Sequence, residues 1–174
     1  MTPQDLVLTP RGIRFLNRTI PCAIGRGGLT TDKREGDGAT PVGTHRIMGL
    51  MHRPDRTLAH TRALGASLPI GPHDLWSDDG KDSGYNHLVR APYKYSHEKL
   101  RRADPLYDLV LVTDWNWPNA TPGKGSAIFL HIWRKPRHPT EGCIAFSKQD
   151  FHWIIERLVP ENRLIVPDLA LTRP

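Results

Sequence analysis

Short β-prone runs separated by turn residues dominate this chain and limit the folds open to it. Sixteen prolines and fifteen glycines are spread over 174 residues, and both residues favour turns over long helices. The strongest strand candidates, rich in Val, Ile and Leu, cover residues 109–113 and 126–133. Weaker strands are predicted at 5–8, 13–15, 19–24, 44–48 and 163–166. The pattern predicts a mainly β fold.

Two segments are typical of helices. Residues 147–158 combine a capping Ser147, the acidic Asp150 in the first turn and an apolar stripe at helical spacing. A shorter helix is predicted over 96–103, with Ser96 as its cap. Residues 9–12 match a turn, 25–43 a Gly-rich loop, and 64–93 a mixture of loops and short strands. The length suits one domain, so we expect residues 1–174 to form a single domain.

The charge favours an anionic partner but does not specify its class. The formal net charge is +6, which would attract nucleic acid, anionic lipid or small polycarboxylates. The basic residues form no block of five or six, and the aromatic residues are not interleaved with them, so we expect no nucleic-acid partner. No apolar run reaches the length of a membrane span. The start of the chain lacks the pattern of a signal peptide, so we expect a cytoplasmic protein without a membrane partner, or a periplasmic one if the N-terminus has been trimmed.

One cysteine stands in a setting that suits covalent chemistry. Cys143 follows Gly142, and His131 lies in an apolar run twelve positions earlier. A thiol needs a base and nearby backbone donors for acyl transfer, and the backbone at Glu141, Gly142 and Cys143 could supply the donors. The helix after Ser147 could lower the thiol pKa if its positive end lies nearby.

Other interpretations of the same residues remain open. A lone Cys is often a small buried apolar residue and a lone His a structural group. Cys143, His131 and His138 could also hold zinc, although CxxC, HxxxH and HExxH spacings are absent. The Gly-rich loop lacks the GK[ST] and GxGxxG patterns of phosphate sites. We therefore expect no metal and no cofactor.

Two stretches resemble the L,D-transpeptidase catalytic domain, the YkuD family. His131 matches the family's early His, and the residues from Thr140 to Ile144 match its Ser/Thr-x-Gly-Cys-apolar ending. Residues 34–43 are similar to its GDGxTPxG segment, and residues 82–89 to a segment of its short-chain branch. Two positions depart from the usual pattern, Glu141 where many members carry His and Ala145 where many carry Arg or Asn.

The resemblance implies a β-sandwich or barrel with one main helix after the catalytic Cys. It implies that Cys143, with His131 as base, attacks the carbonyl of diaminopimelate before D-Ala in a peptidoglycan stem peptide. Candidate substrate contacts are Tyr85, Asn86, His87, Trp133, Arg134 and Thr140. We favour water as acyl acceptor, which makes the protein an L,D-carboxypeptidase acting on soluble muropeptides. The alternatives are an L,D-transpeptidase and, less favoured, a non-catalytic binding module.

Overall fold

The computed structural model describes residue 2 and residues 4–57 and 67–169. Within these residues the chain forms fifteen short strands and one helix, which confirms the mainly β prediction. The elements in chain order are β1 (Leu6–Thr9), β2 (Gly12–Phe15), β3 (Arg18–Ile20), β4 (Cys22–Ala23), β5 (Leu29–Thr30), β6 (Thr40–Pro41), β7 (Gly43–His52), β8 (Leu68–Pro69), β9 (Asp74–Ser77), β10 (Leu88–Arg90), β11 (His97–Lys99), β12 (Leu109–Thr113), β13 (Phe129–Ile132), β14 (Ile144–Phe146), α1 (Lys148–Ile155) and β15 (Arg163–Val166).

The main sheet curls until its two edges nearly meet. Its strand order is β3-β2-β1-β15-β7-β12-β13-β14-β4, and β8 adds to β7. The edge strands β3 and β4 are separated along the chain by Pro21 alone, so the sheet must bend into a barrel-like form to accommodate both. Its interior is filled by buried apolar residues that include Phe15, Leu111 and Phe146.

The predicted N-terminal hairpin is confirmed. β1 pairs antiparallel with β2 through Thr9 and Gly12, and the Thr9 hydroxyl donates to the Gly12 carbonyl at 2.7 Å. Gly12 has φ +132°, a conformation that glycine adopts without a steric cost. β1 also pairs in parallel with β15, so the first and last described strands lie side by side.

Helix α1 begins and packs as its sequence predicts. The Ser147 side chain accepts a hydrogen bond from the Asp150 amide, as an N-cap should. Phe151, Ile154 and Ile155 are buried in the main core, together with Leu158 just beyond the helix. At eight residues, α1 is the only helix that the described ranges contain, and no helix within them is long and apolar enough to span a membrane.

The predicted helix over 96–103 is wrong. Residues 97–99 form β11, which pairs antiparallel with β9 in a separate three-stranded sheet, β10-β9-β11. Pairing with β9 gives the backbone N–H and C=O groups of this segment hydrogen-bond partners on a neighbouring strand. A short helix would have to form these hydrogen bonds within itself, and such helices are marginally stable without packing. The mixture of loops and short strands predicted over 64–93 is found from residue 67 onward, while residues 64–66 lie outside the described part.

Several predicted strands have different bounds in the structure. The run predicted over 19–24 forms two strands, β3 and β4, separated by Pro21. β7 is longer than the predicted 44–48, because it pairs with both β12 and β15 along its length. The strand predicted over 126–133 is shorter and begins only at Phe129. Ala127 has φ +50°, which is uncommon for a non-glycine residue and breaks the extended path.

Candidate active site

Two neighbouring parallel strands bring His131 and Cys143 to one face of the main sheet. In the register of β13 and β14, His131 lies opposite Ala145. Cys143 precedes Ala145 by two positions, and side chains two apart on an extended chain project to the same face. Both side chains line the same cavity. The sheet therefore makes His131 and Cys143 diagonal neighbours, although a loop separates them in sequence.

The Cys143 thiol is held inside the protein in its neutral form. Its Sγ donates to the Ala127 carbonyl at 3.0 Å and accepts from the Phe129 amide at 3.4 Å. Cys143 is 8% exposed, and burial raises the pKa of the thiol to about 12. The shift is opposite in direction to the expectation that helix α1 lowers the thiol pKa.

The His131 ring is oriented by its own neighbour. Its Nδ1 lies 2.8 Å from the Ile132 carbonyl oxygen, and a carbonyl can only accept, so Nδ1 carries the ring proton and Nε2 keeps its lone pair. The ring packs edge-on against Tyr107 at 5.4 Å between centroids. Burial lowers the pKa of His131 to about 4. At neutral pH this histidine is an uncharged ring with an open acceptor.

Hydroxyl groups fix the backbone around Cys143. Thr40 is 1% exposed; its Oγ1 donates to the Gly142 carbonyl at 2.8 Å and accepts from the Gly25 amide at 2.9 Å. The Thr140 hydroxyl donates to the Cys143 carbonyl at 2.6 Å and accepts from the Gly142 amide at 3.2 Å. The Gly142 amide is therefore already engaged. The Gly142 carbonyl is anchored on Thr40, so the Cys143 amide in the same peptide plane points away from Thr40.

Position 142 requires glycine. Gly142 has φ +138°, and a Cβ at this position would lie 2.9 Å from the Ala39 carbonyl oxygen. Ala39 belongs to the 34–43 segment, so the two sequence motifs are packed directly against each other. The Glu141 side chain points outward and forms an ion pair with Arg26 at 2.9 Å.

The cavity beside Cys143 has a volume of about 370 Å³. Trp133, Arg134, Thr140 and Glu141, all singled out from the sequence, line it. The lining also includes residues that the sequence did not single out individually, among them Glu35, Asp78, Glu98, Arg102 and Tyr107. Glu35 lies within the 34–43 motif, so the sequence could have indicated that it belongs to the site. Asp78 directly follows β9 and Glu98 belongs to β11, and nothing in their local sequence predicts that both line the cavity beside Cys143.

The segment from Tyr85 to His87 supports the cavity from outside rather than lining it. The Tyr85 hydroxyl donates to Glu35 at 2.5 Å. Asn86 Oδ1 accepts from the Ala127 amide at 2.9 Å, and Ala127 in turn holds the thiol. His87 lines a separate apolar groove. The proposed substrate contacts at these three positions therefore find no support in the cavity geometry.

His131, His138 and Cys143, the three candidate zinc ligands, all line the cavity. Within the part of the chain that the structure describes, no three His, Cys, Asp or Glu side chains are placed to share a metal ion. The cavity geometry thus lends the zinc interpretation no support.

Comparison with known proteins gave one match. The family model of the L,D-transpeptidase catalytic domain, YkuD, matches residues 4–166, nearly the whole chain. No significant match was found among curated proteins or among solved structures. The matched range includes both motifs and every residue of the cavity described above.

Proposed function

We propose, since this chain belongs to the L,D-transpeptidase catalytic-domain (YkuD) family, that it hydrolyses the bond between diaminopimelate and D-Ala in a soluble tetrapeptide stem. Members of the family are cysteine acyl-transfer enzymes that act on peptidoglycan stem peptides. The proposal assigns Cys143 as nucleophile, His131 as general base and water as acyl acceptor. The cytoplasm is the compartment that fits a soluble substrate of this kind.

In the first half-reaction His131 Nε2 takes the proton from Cys143 Sγ, and the sulfur attacks the diaminopimelate carbonyl carbon. The proposal assigns the Cys143 amide as the oxyanion donor, because Thr40 anchors its peptide plane and the Gly142 amide is already engaged by Thr140. The imidazolium then gives its proton to the leaving amine of D-Ala, and a thioester remains. In the second half-reaction His131 deprotonates water, which attacks the thioester and releases the tripeptide and the thiol.

The observation that carries the assignment is the placement of a neutral thiol and a neutral imidazole on one sheet face, where both line the same cavity. A base must be unprotonated at the working pH and oriented toward the proton it removes. The Ile132 carbonyl fixes the tautomer of His131, and burial keeps the ring uncharged. The thiol becomes a thiolate only as the proton is transferred, so the nucleophile stays protected from adventitious reaction at rest.

The size of the cavity supports hydrolysis over cross-linking. Its volume of about 370 Å³ lies near the lower end for small-molecule pockets, roughly 300–1,000 Å³. An amine acceptor must be held beside the thioester to compete with water, and such positioning needs its own binding surface. A cavity of this size suits one stem end better than two. The alternative in which a second stem or a D-amino acid is the acceptor uses the same Cys143 and His131.

Product analysis tests the proposal. The protein is incubated with purified tetrapeptide, alone and with a large excess of a D-amino acid, and the products are identified by mass. Tripeptide as the main product in both reactions supports hydrolysis. Exchanged or cross-linked products as the main species would establish transfer instead, and the absence of any product would reject the stem-peptide substrate.

A further inference from the structure

The cavity beside Cys143 is more acidic than the protein that contains it. The chain as a whole carries a net charge of +6, and a basic chain would be expected to present basic groups to an anionic peptide. The cavity lining instead contains four carboxylates and two guanidinium groups: Glu35, Asp78, Glu98, Glu141, Arg102 and Arg134. This reversal of sign points to a cationic group on the ligand.

Two of the four carboxylates have partners of their own. Glu141 forms its ion pair with Arg26, which does not line the cavity. Glu35 accepts the hydrogen bond from the buried Tyr85 hydroxyl. These two side chains are occupied by the protein itself, and Asp78 and Glu98 are the other two carboxylates that line the cavity. Glu98 shares a hydrogen bond with the Tyr107 side chain.

Arg102 lies near Glu98, but its guanidinium is committed elsewhere. Its Nε and Nη2 atoms each bind a carboxylate oxygen of Asp104 at 2.8 Å, a bidentate arrangement that uses the favourable face of the group. The guanidinium also lies over the Tyr107 ring at 5.6 Å. The second cavity arginine, Arg134, is exposed at the rim.

The register of β9 and β11 directs Asp78 and Glu98 to the cavity. Glu98 lies opposite Trp76 in this antiparallel pair, and Asp78 follows Trp76 by two positions, so all three share one face. The Trp76 ring packs edge-on against Phe129 at 5.0 Å, and the Phe129 amide donates to Cys143 Sγ. The face that carries both carboxylates therefore packs against the strand beside the nucleophile.

The carboxylate of Asp78 has an oxygen atom that no protein group hydrogen-bonds among the described residues. This atom, Oδ1, is buried, and an unpaired buried carboxylate oxygen is costly. Burial, followed by the negative charge of Asp78, raises the pKa of Glu98. The two carboxylates lie on one face of the β9–β11 pair and line one cavity, and a cation placed between them would relieve both penalties.

We propose that Asp78 and Glu98 bind the side-chain ammonium of the diamino acid whose carbonyl Cys143 attacks. The inference rests on the proposed function for the identity of the peptide, and it adds the determinant of specificity at the attacked residue. A free side-chain amine gives charge-assisted hydrogen bonds to both carboxylates. An acetylated amine of the same residue offers no charge and leaves Asp78 unpaired.

Binding to the Cys143→Ala protein tests the proposal without turnover. Two tetrapeptides are compared by calorimetry, one with the free distal amine of diaminopimelate and one with that amine acetylated. The free amine should bind about 10- to 100-fold more tightly, as expected for hydrogen bonds to charged groups. Adding Asp78→Asn or Glu98→Gln should bring the ratio of the two dissociation constants toward one, chiefly by weakening the free-amine peptide.

A matched change elsewhere separates local recognition from overall charge. Glu161 is exposed and does not line the cavity, so Glu161→Gln should leave the ratio unchanged. Equal affinity for the two peptides, or equal weakening of both by Asp78→Asn and Glu98→Gln in folded protein, overturns the inference. Failure of this inference can be distinguished from failure of the proposed function, because product analysis of the unmodified protein tests the proposed function separately. If Asp78→Asn does not fold, Glu98→Gln supplies the same comparison.

Discussion

The Nδ1 atom of His131 lies 2.8 Å from the carbonyl oxygen of Ile132, the next residue along β13. The strand itself therefore sets the tautomer of the ring and leaves Nε2 as the acceptor. The same burial that makes His131 a weak base makes Cys143 a weak acid. At rest the two groups are neutral, and the proposed chemistry depends on proton transfer during attack.

Alkylation of Cys143 by iodoacetamide should show no thiolate plateau near neutral pH. Because the thiol pKa is raised to about 12 by burial, the reactive thiolate fraction should keep rising as the pH increases from 6 to 10. The measurement uses Cys22→Ala protein, so that only one thiol reacts. A rate that levels off near pH 7 would indicate a thiolate–imidazolium pair and contradict the neutral resting state.

His131→Gln should lower the turnover rate by about 10²- to 10⁴-fold, the usual contribution of a general base. It should also alter acid stability. The His131 pKa is about 4 in the folded protein against 6.5 for the free side chain, so the unfolded chain takes up the proton first. Wild-type stability should therefore fall as pH decreases from 6.5 toward 4, with this residue contributing about 1.4 kcal/mol per pH unit at most.

Denaturant unfolding at several pH values measures this contribution as the difference between wild type and His131→Gln. The other histidines contribute equally to both proteins and cancel. The difference should diminish as the pH falls and stay constant above about pH 7. Parallel curves for the two proteins over the whole range would show that His131 is not held neutral by the fold.

Cys143→Ala should abolish product formation while the protein remains folded. The substitution removes one sulfur atom from an apolar neighbourhood, and the loss of its two weak contacts leaves the sheet intact. Cys22→Ala is the matched control, since Cys22 is also a free thiol whose pKa burial raises, to about 11. Turnover of tetrapeptide is measured by mass for both variants. If Cys143→Ala keeps its activity, or if only Cys22→Ala loses it, the assignment of Cys143 as nucleophile is wrong.

Thr40→Val should slow acylation and leave alkylation nearly unchanged. Valine has the shape of threonine but cannot hold the Gly142 carbonyl or the Gly25 amide, so the Cys143 amide loses its fixed orientation. A misplaced oxyanion donor should reduce the acylation rate by roughly 10- to 100-fold. Alkylation develops no oxyanion and reports only the thiol.

Thr40→Ser keeps the hydroxyl and should restore most of the acylation rate. Both rates are measured on the same preparations, with single-turnover acylation by tetrapeptide and alkylation by iodoacetamide. Equal loss of both rates in Thr40→Val would mean that Thr40 supports the fold in general rather than the oxyanion donor.

Local pattern in the sequence was enough to predict the mainly β class, the N-terminal hairpin and helix α1 with its Ser147 cap. These features depend on turn residues, capping side chains and apolar periodicity, which act over a few residues and can be recognised without a partner. The two motifs around Cys143 and Gly38 also indicated the family, because their residue types are read directly from the chain.

Tertiary structure decided the rest. Residues 97–99 are a strand because β9 lies beside them, and Asp78 and Glu98 reach the cavity through that same pairing. Asn86 supports Ala127 rather than lining the cavity, since the Trp115 and Asn116 carbonyls just beyond β12 accept from its side-chain amide. The direction of the Cys143 pKa shift was likewise not predictable, because burial depends on every element packed around the thiol. Contacts between distant segments set these properties, and no local pattern records which segments will meet.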